Sequence, residues 1–496
     1  MKRQKLRAGP IAAALMGLAV LAPAAAQPQA QAALLPGLDP TQNSDPFPST
    51  YRPLPSVTTA ITGATVLTGT GEDEIQGATV LMQDGRIVAV GTDVAVPPDA
   101  TVIDAKGKWV TPGIIDAHSH LGVYPSPSLQ PHSDGNEMTS PNTPGVWSEH
   151  SVWPQDAGFT RALAGGVTSL MVLPGSANLF GGRTVVLKNL PARTMQAMKF
   201  PGAPYGLKMA CGENPKRVYG GKGQPPATRM GNVKGYREAW IGGQEYRAKW
   251  DRYRADLAKY DRDLEEWRGK PEADRGPEPS RPEPPTRDLD NETLAGVLAG
   301  EISVQNHCYR ADEMAVMADI ADEFGFKITM FHHASEAYKI ADLLAKRDIC
   351  VATWAEWWGF KMESYDGIEE NAALLHSKGV CTVIHSDDET IIQRLNQEAA
   401  IAMAAGRRMG IEIDRGDAIT WITRNPARAI GVLDRTGTLE PGKMADVVIW
   451  NTDPFSVYAV AERVYIDGGI AYDRFDPKYR PQTDFELGQA GKEARR

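Results

Sequence analysis

Residues 110–122 read VTPGIIDAHSHLG, and the fold is decided on this stretch. An apolar run from Trp109 closes on Asp116-Ala117-His118-Ser119-His120. On an extended strand, side chains two apart point to the same side. His118 and His120 therefore present two imidazoles to one point at the strand's C-terminal end. Histidines so spaced suit a zinc-like ion. A lone His-x-His is a weak motif, so its meaning depends on the rest of the chain.

Outward from this strand the pattern repeats. Apolar runs at Val167–Leu173, Leu207–Cys211, Ile302–Asn306, Lys327–Phe331, Ile349–Thr353 and Cys381–Ile384 alternate with helix-like stretches such as Ala311–Phe324, Ser335–Lys346 and Thr390–Met409. Repeated βα units with continuous apolar strands argue for an α/β fold with a parallel sheet. With the first strand this makes seven. Arg183–Lys188 reads either as the eighth strand or as a loop hairpin. The expected architecture is a (β/α)8 TIM-like barrel over 111–434.

Shorter β-type runs split by turns occupy 57–110 and 435–475, which suggests one small β-sandwich assembled from both chain ends. An insertion at 231–287 interrupts the barrel pattern. Within it Tyr246, Trp250, Tyr253, Leu257, Tyr260, Leu264 and Trp267 recur at helical spacing, and a Pro- and charge-rich linker from Lys270 to Arg287 follows. This is an amphipathic helix. It reads first as a helix packed on the barrel exterior, with a homo-oligomer contact as the alternative.

Other ligand-type residues fall at other strand ends: Glu213, His307, His332, His333, His385 and Asp387. Six of the nine histidines lie at such ends, which scattered core or surface histidines would rarely achieve. In a (β/α)8 barrel this face holds the active site.

These motifs, with GTLEPGKMADVVIW at 437–450, resemble the amidohydrolase superfamily. CGENPKRVYG, FHHASEAYKIADLLA and VIHSDDE are similar to its imidazolonepropionase-like, prolidase-like branch. The resemblance covers about residues 57–472 and implies a barrel with a small β-sandwich, and a divalent metal, zinc above all, as one or two ions. It implies His118 and His120 as first-strand ligands, His307 as the fifth-strand ligand and His333, rather than His332, as the sixth. Asp387 matches the eighth-strand aspartate, a ligand and the base that takes a proton from water. At the bridging position two-metal members carry a carboxylated lysine and some one-metal members a glutamate. Lys208 and Glu213 lie five apart, on opposite pleat faces of a straight strand. Glu213 is preferred, with Lys208 as the alternative.

The activity expected from this set is hydrolysis of a C–N bond in an amide, a dipeptide-like substrate or a cyclic amide. Arg310, Lys216 and Arg229 are candidates for holding a substrate carboxylate, against the reading that they are solvated or structural charges. The Pro- and Ser-rich stretch from Gly122 to Trp153, with His132, Asn136, Glu137 and His150, is long enough to line a pocket or to be plain surface loop. Two other readings stand beside hydrolysis. His333-Ala334-Ser335-Glu336 superficially matches the His-x-x-Glu of some deaminases, and a barrel with a dead site would be a binding protein.

Basic residues Lys2, Arg3, Lys5 and Arg7, an apolar run from Ile11 to Ala22 and small residues at 24–26 read as a signal peptide cut after Ala26, hence export to a periplasm or beyond. Residues 27–56 read as a poorly ordered lead-in and 476–496 as a tail. Without residues 1–26 the chain holds 49 basic and 62 acidic residues, a balance of −13. That argues against nucleic acid or an anionic membrane as partner. Cys211, Cys308, Cys350 and Cys381 read as buried free thiols, with a disulfide between neighbouring strands as the alternative.

Overall fold

The computed structural model describes residues 45–479, apart from residues 127 and 358. The expected signal peptide and residues 480–496 lie outside the described residues.

Two sheets of eight strands organise the chain. The first takes β1 (Thr59–Val66), β2 (Ile75–Gln83), β3 (Arg86–Gly91), β4 (Thr101–Asp104) and β5 (Trp109–Pro112). The second takes β6 (Ile114–Ser119), β7 (Val167–Val172), β8 (Phe180–Lys188), β9 (Gly206–Ala210), β10 (Ser303–Cys308), β11 (Met330–His333), β12 (Cys350–Thr353) and β13 (Thr382–Ile384), paired in that order. The chain then returns to the first sheet with β14 (Val447–Trp450), β15 (Ala461–Ile466) and β16 (Gly469–Asp473). β14 pairs antiparallel with β5, setting Ile449 opposite Val110, so strands from both ends of the sequence share one sheet.

Every residue of β6, β7, β8 and β9 is buried, as for strands covered on both faces. Helices fill the connections: α1 (Ala157–Ala164), α2 (Glu213–Gly220), α3 (Arg229–Gly269), α4 (Leu289–Leu298), α5 (Ala311–Phe324), α6 (Ala341–Lys346), α7 (Asn371–Ser377) and α8 (Leu395–Arg408). The first and last strands of the second sheet approach at their C-terminal ends, where the Asp387 amide donates to the His118 carbonyl at 3.0 Å.

The expected run of parallel strands is corrected at one place. β8 is antiparallel to both β7 and β9. Only residues 173–179 join β7 to β8, too few for the crossover of about a dozen residues that a parallel neighbour needs. The segment is both the eighth strand and the hairpin partner.

Two further expectations are overturned. Cys211 pairs with Cys308 and Cys350 with Cys381 as disulfides, with no free cysteine among the described residues. The sheet register causes this. Ala210 faces His307 and Val351 faces Thr382, which sets the cysteines opposite each other with Cα atoms 5.2 and 4.5 Å apart. The end of the supposed loose lead-in is also tied down: Asp45 pairs with Lys199 at 2.7 Å and the Tyr51 hydroxyl donates to Asp467 at 2.6 Å.

The insertion helix α3 buries Tyr236, Trp240 and Tyr246, and beyond Trp250 the aromatic seam is only half-buried. The linker folds back on its end, where Trp267 donates to the Gly276 carbonyl at 2.7 Å.

Candidate functional site

β6 delivers His118 and, just past its end, His120; β9 delivers Lys208; β10 His307; β11 His332 and His333; and the segment after β13 His385 and Asp387. His118 is fully buried. Its Nε2 lies 3.4 Å from Nε2 of His120, 3.4 Å from Lys208 Nζ and 3.2 Å from Asp387 Oδ1. Asp387 Oδ1 is also 3.1 Å from His120 Nε2. Burial alone would raise the Asp387 carboxyl, but the facing His333 and His120 imidazoles reverse this and hold it well below the ordinary carboxylate range.

The backbone is held in unusual shapes here. His333 and Asp387 adopt φ of +69° and +61°. A non-glycine residue in the left-handed region costs on the order of 1–3 kcal/mol, and such strain clusters at functional sites. Asp116 braces the arrangement: its carboxylate accepts from the His118 amide at 3.1 Å, the Ser386 amide at 3.3 Å and the Ser386 hydroxyl. Burial pushes its pKa up to about 7.

The two bridging candidates, Glu213 and Lys208, stand in different surroundings. β9 stops at Ala210, and Gly212, at φ +81°, turns the chain so that Glu213 opens α2. A Cβ at Gly212 would lie 2.7 Å from the Glu363 carboxylate, so only glycine fits this turn. Glu213 faces Lys361 at 3.7 Å. Lys208 instead is fully buried beside His118, and burial pushes its amine down to about 8.

His307 stands next to His333, ring centres 4.6 Å apart, and its Nδ1 meets the Ser176 hydroxyl at 2.8 Å. Two of the three proposed carboxylate-holding residues are already paired with carboxylates. Arg310 pairs with its neighbour Asp312 at 2.9 Å on the surface, and Arg229 is locked between Glu313 and Glu363. Lys216 lies partly exposed on α2. The carboxylate partners of Arg310 and Arg229 hold those two guanidinium groups in place. Glu336 of the His-x-x-Glu stretch accepts from the Ala311 amide at 3.0 Å and lies 3.3 Å from Lys339.

Several residues beside the cluster belong to none of the motifs singled out in the sequence. Lys361 sits 4.1 Å above the Tyr309 ring and donates to Asn214 at 3.2 Å. Tyr309 and Trp354 stack on His333, and Tyr124 packs on the edge of His120. The aromatic run after β12, at a strand's C-terminal end, was the available signal. In the Gly122–Trp153 stretch, Asn136 donates to the Tyr124 hydroxyl. Asn136, Glu137, His150, Pro174 and Gly181 line a cavity of about 640 Å³.

A solved amidohydrolase from Thermotoga maritima MSB8 is 36% identical, covers 84% of this chain and 100% of its own, and superposes with a TM-score of 0.69. The chain belongs to the amidohydrolase family. The model of the Amidohydrolase family matches residues 310–472. Amidohydrolase tasK of Hapsidospora irregularis is 33% identical over 79% of the chain, a match that spans 40% of that protein's length. An imidazolonepropionase of Mesorhizobium japonicum is 23% identical over 76% of the chain and 87% of its own length.

Amidohydrolases generally use divalent metals, and the donors here fit one. His120 Nδ1 donates to the Leu173 carbonyl at 2.9 Å, which leaves its Nε2 lone pair facing the Asp387 carboxylate. Two acceptors so placed have no hydrogen to share when the ring is neutral, and a cation between them removes the conflict. His118, His120 and Asp387 bring ligand atoms within 4.8 Å of one another, as do His118, His333 and His385. Both ring nitrogens of His385 and Nδ1 of His333 are buried without a hydrogen-bond partner. An unsatisfied buried polar group costs about 1–3 kcal/mol, so unpartnered imidazole nitrogens beside His118 suit a missing ligand.

Proposed function

We propose that this chain is a metal-dependent hydrolase that cleaves an amide, peptide-like or cyclic amide C–N bond in a small molecule. One observation carries the reading: His118 Nε2, His120 Nε2 and Asp387 Oδ1 converge within 3.1–3.4 Å at the strand C-termini. His118, His120, His307 and His333 would hold one or two divalent ions, zinc by the chemistry of the donors, with Lys208 in the bridging position. Such an ion supplies the Lewis acidity that makes water nucleophilic near neutral pH. Asp387, kept ionised, accepts the water's proton and returns it to the leaving nitrogen. Tyr309, Trp354 and Tyr124 wall the site and limit the entry of bulk water.

The second sheet is read as closing into a barrel with one reversed strand, its C-terminal face carrying the site. The two disulfides suit an oxidising compartment, in line with the export signal read at residues 1–26.

The test is turnover of a panel of N-acyl amino acids, dipeptides and cyclic amides, before and after chelation and with zinc restored. Chelator-sensitive, zinc-restored release of amine supports the reading. Hydrolysis indifferent to chelation, with no bound metal, would contradict it.

A further inference from the structure

His332 is fully buried and stands between the metal-facing histidine His118 and Gln305 of β10. The Gln305 amide is fixed at both ends. Its Nε2 donates to Ser303 Oγ at 3.0 Å and to the Ala429 carbonyl at 3.1 Å, so its Oε1 is the atom 2.9 Å from His332 Nε2. A carbonyl oxygen only accepts, so His332 Nε2 carries a hydrogen. On the other side of the ring, His332 Nδ1 and His118 Nδ1 are 2.7 Å apart. A single hydrogen fits between them.

If that hydrogen belonged to His332, the ring would hold two and be a cation. No carboxylate lies within ion-pair distance of His332 among the described residues, and a buried unpaired charge is costly. The hydrogen therefore sits on His118 Nδ1 and is donated to His332. His118 is left with its Nε2 lone pair bare, facing His120, Asp387 and Lys208.

We infer that His332, oriented by Gln305, is a positioning residue that fixes the ring and tautomer of His118 for metal binding. The inference rests on the metal-site reading above. The direct link is the chain Ala429 carbonyl, Gln305 amide, His332 imidazole, His118 imidazole. Losing a partner that orients a ligating histidine typically weakens metal affinity about 10–100-fold. His332→Phe removes the acceptor while keeping a planar ring. His332→Asn restores an acceptor at the place of Nδ1.

The experiment joins nitrogen NMR of the metal-free protein with ¹⁵N-labelled histidines to zinc affinity by chelator competition. In the metal-free wild type, His118 is expected to carry its hydrogen on Nδ1, with coupling to His332 Nδ1. In His332→Phe that signature is lost and zinc affinity falls about 10–100-fold; in His332→Asn it is partly recovered. A His118 hydrogen found on Nε2 in the wild type overturns the inference, and this arm needs neither a variant nor a metal. A folded His332→Phe that binds zinc like the wild type also overturns it. Wild-type protein that binds no zinc, yet shows the Nδ1 hydrogen, would remove the metal reading and keep the His118–His332 bond.

Discussion

The Asp387 carboxylate lies 3.1 Å from His120 Nε2, the ring nitrogen left free because His120 Nδ1 is committed to the Leu173 carbonyl. The proposed base and a proposed ligand thus meet at the junction of the first and last strands. Asp387→Asn keeps the shape and removes the proton acceptor. Its turnover should fall at least about 10²-fold while metal content by elemental analysis stays near that of the wild type. Undiminished turnover would exclude Asp387 as the base.

His118→Ala removes a donor that no neighbour replaces. Bound metal per chain, measured after dialysis, should drop well below the wild-type value. Unchanged metal would exclude His118 as a ligand.

Lys188 joins the two sheets from a fully buried position on β8, with its Nζ 2.9 Å from Asp446 and 3.2 Å from Asp467. Lys188→Ala leaves two carboxylates buried without their cation. Removing one partner of a buried ion pair costs about 3–5 kcal/mol, read as a lower urea midpoint. A midpoint within error of the wild type would show that the network adds nothing.

Glu398 on α8 is buried, and burial raises its pKa from 4.5 to about 7, partly offset by Arg394. The folded pKa lies above the unfolded one, so folding takes up a proton between them, and stability falls as pH rises through that window. A shift of this size corresponds to about 3 kcal/mol. Glu398→Gln cannot ionise and should gain on the wild type by up to that amount between pH 4.5 and pH 7 in urea unfolding. A difference that does not change with pH would rule out the buried acid.

The readable parts of the sequence were those where local pattern and global position coincide. His118 and His120 follow from strand alternation, and strand-end position drew attention to His307, His333 and Asp387. Glu213 reads as a strand-end residue in the sequence, but β9 stops at Ala210 and the left-handed turn at Gly212 carries Glu213 onto α2. The reversed β8 was ambiguous because a fully buried strand carries no periodicity that reveals its direction. Arg229 and Arg310 looked available because sequence spacing does not show the carboxylates that hold them. The cysteine pairs depend on register between strands far apart in the chain. Gln305 and His332 became meaningful only once hydrogen-bond directions were fixed in space.

The proposed metal centre takes in Lys208 rather than Glu213. Elemental analysis of the purified protein, after reconstitution with zinc, tests it most directly alongside Lys208→Ala and Glu213→Ala. At least one ion per wild-type chain is expected, with loss of metal in Lys208→Ala and retention in Glu213→Ala. A wild-type chain without metal after reconstitution, or loss in Glu213→Ala alone, would contradict it.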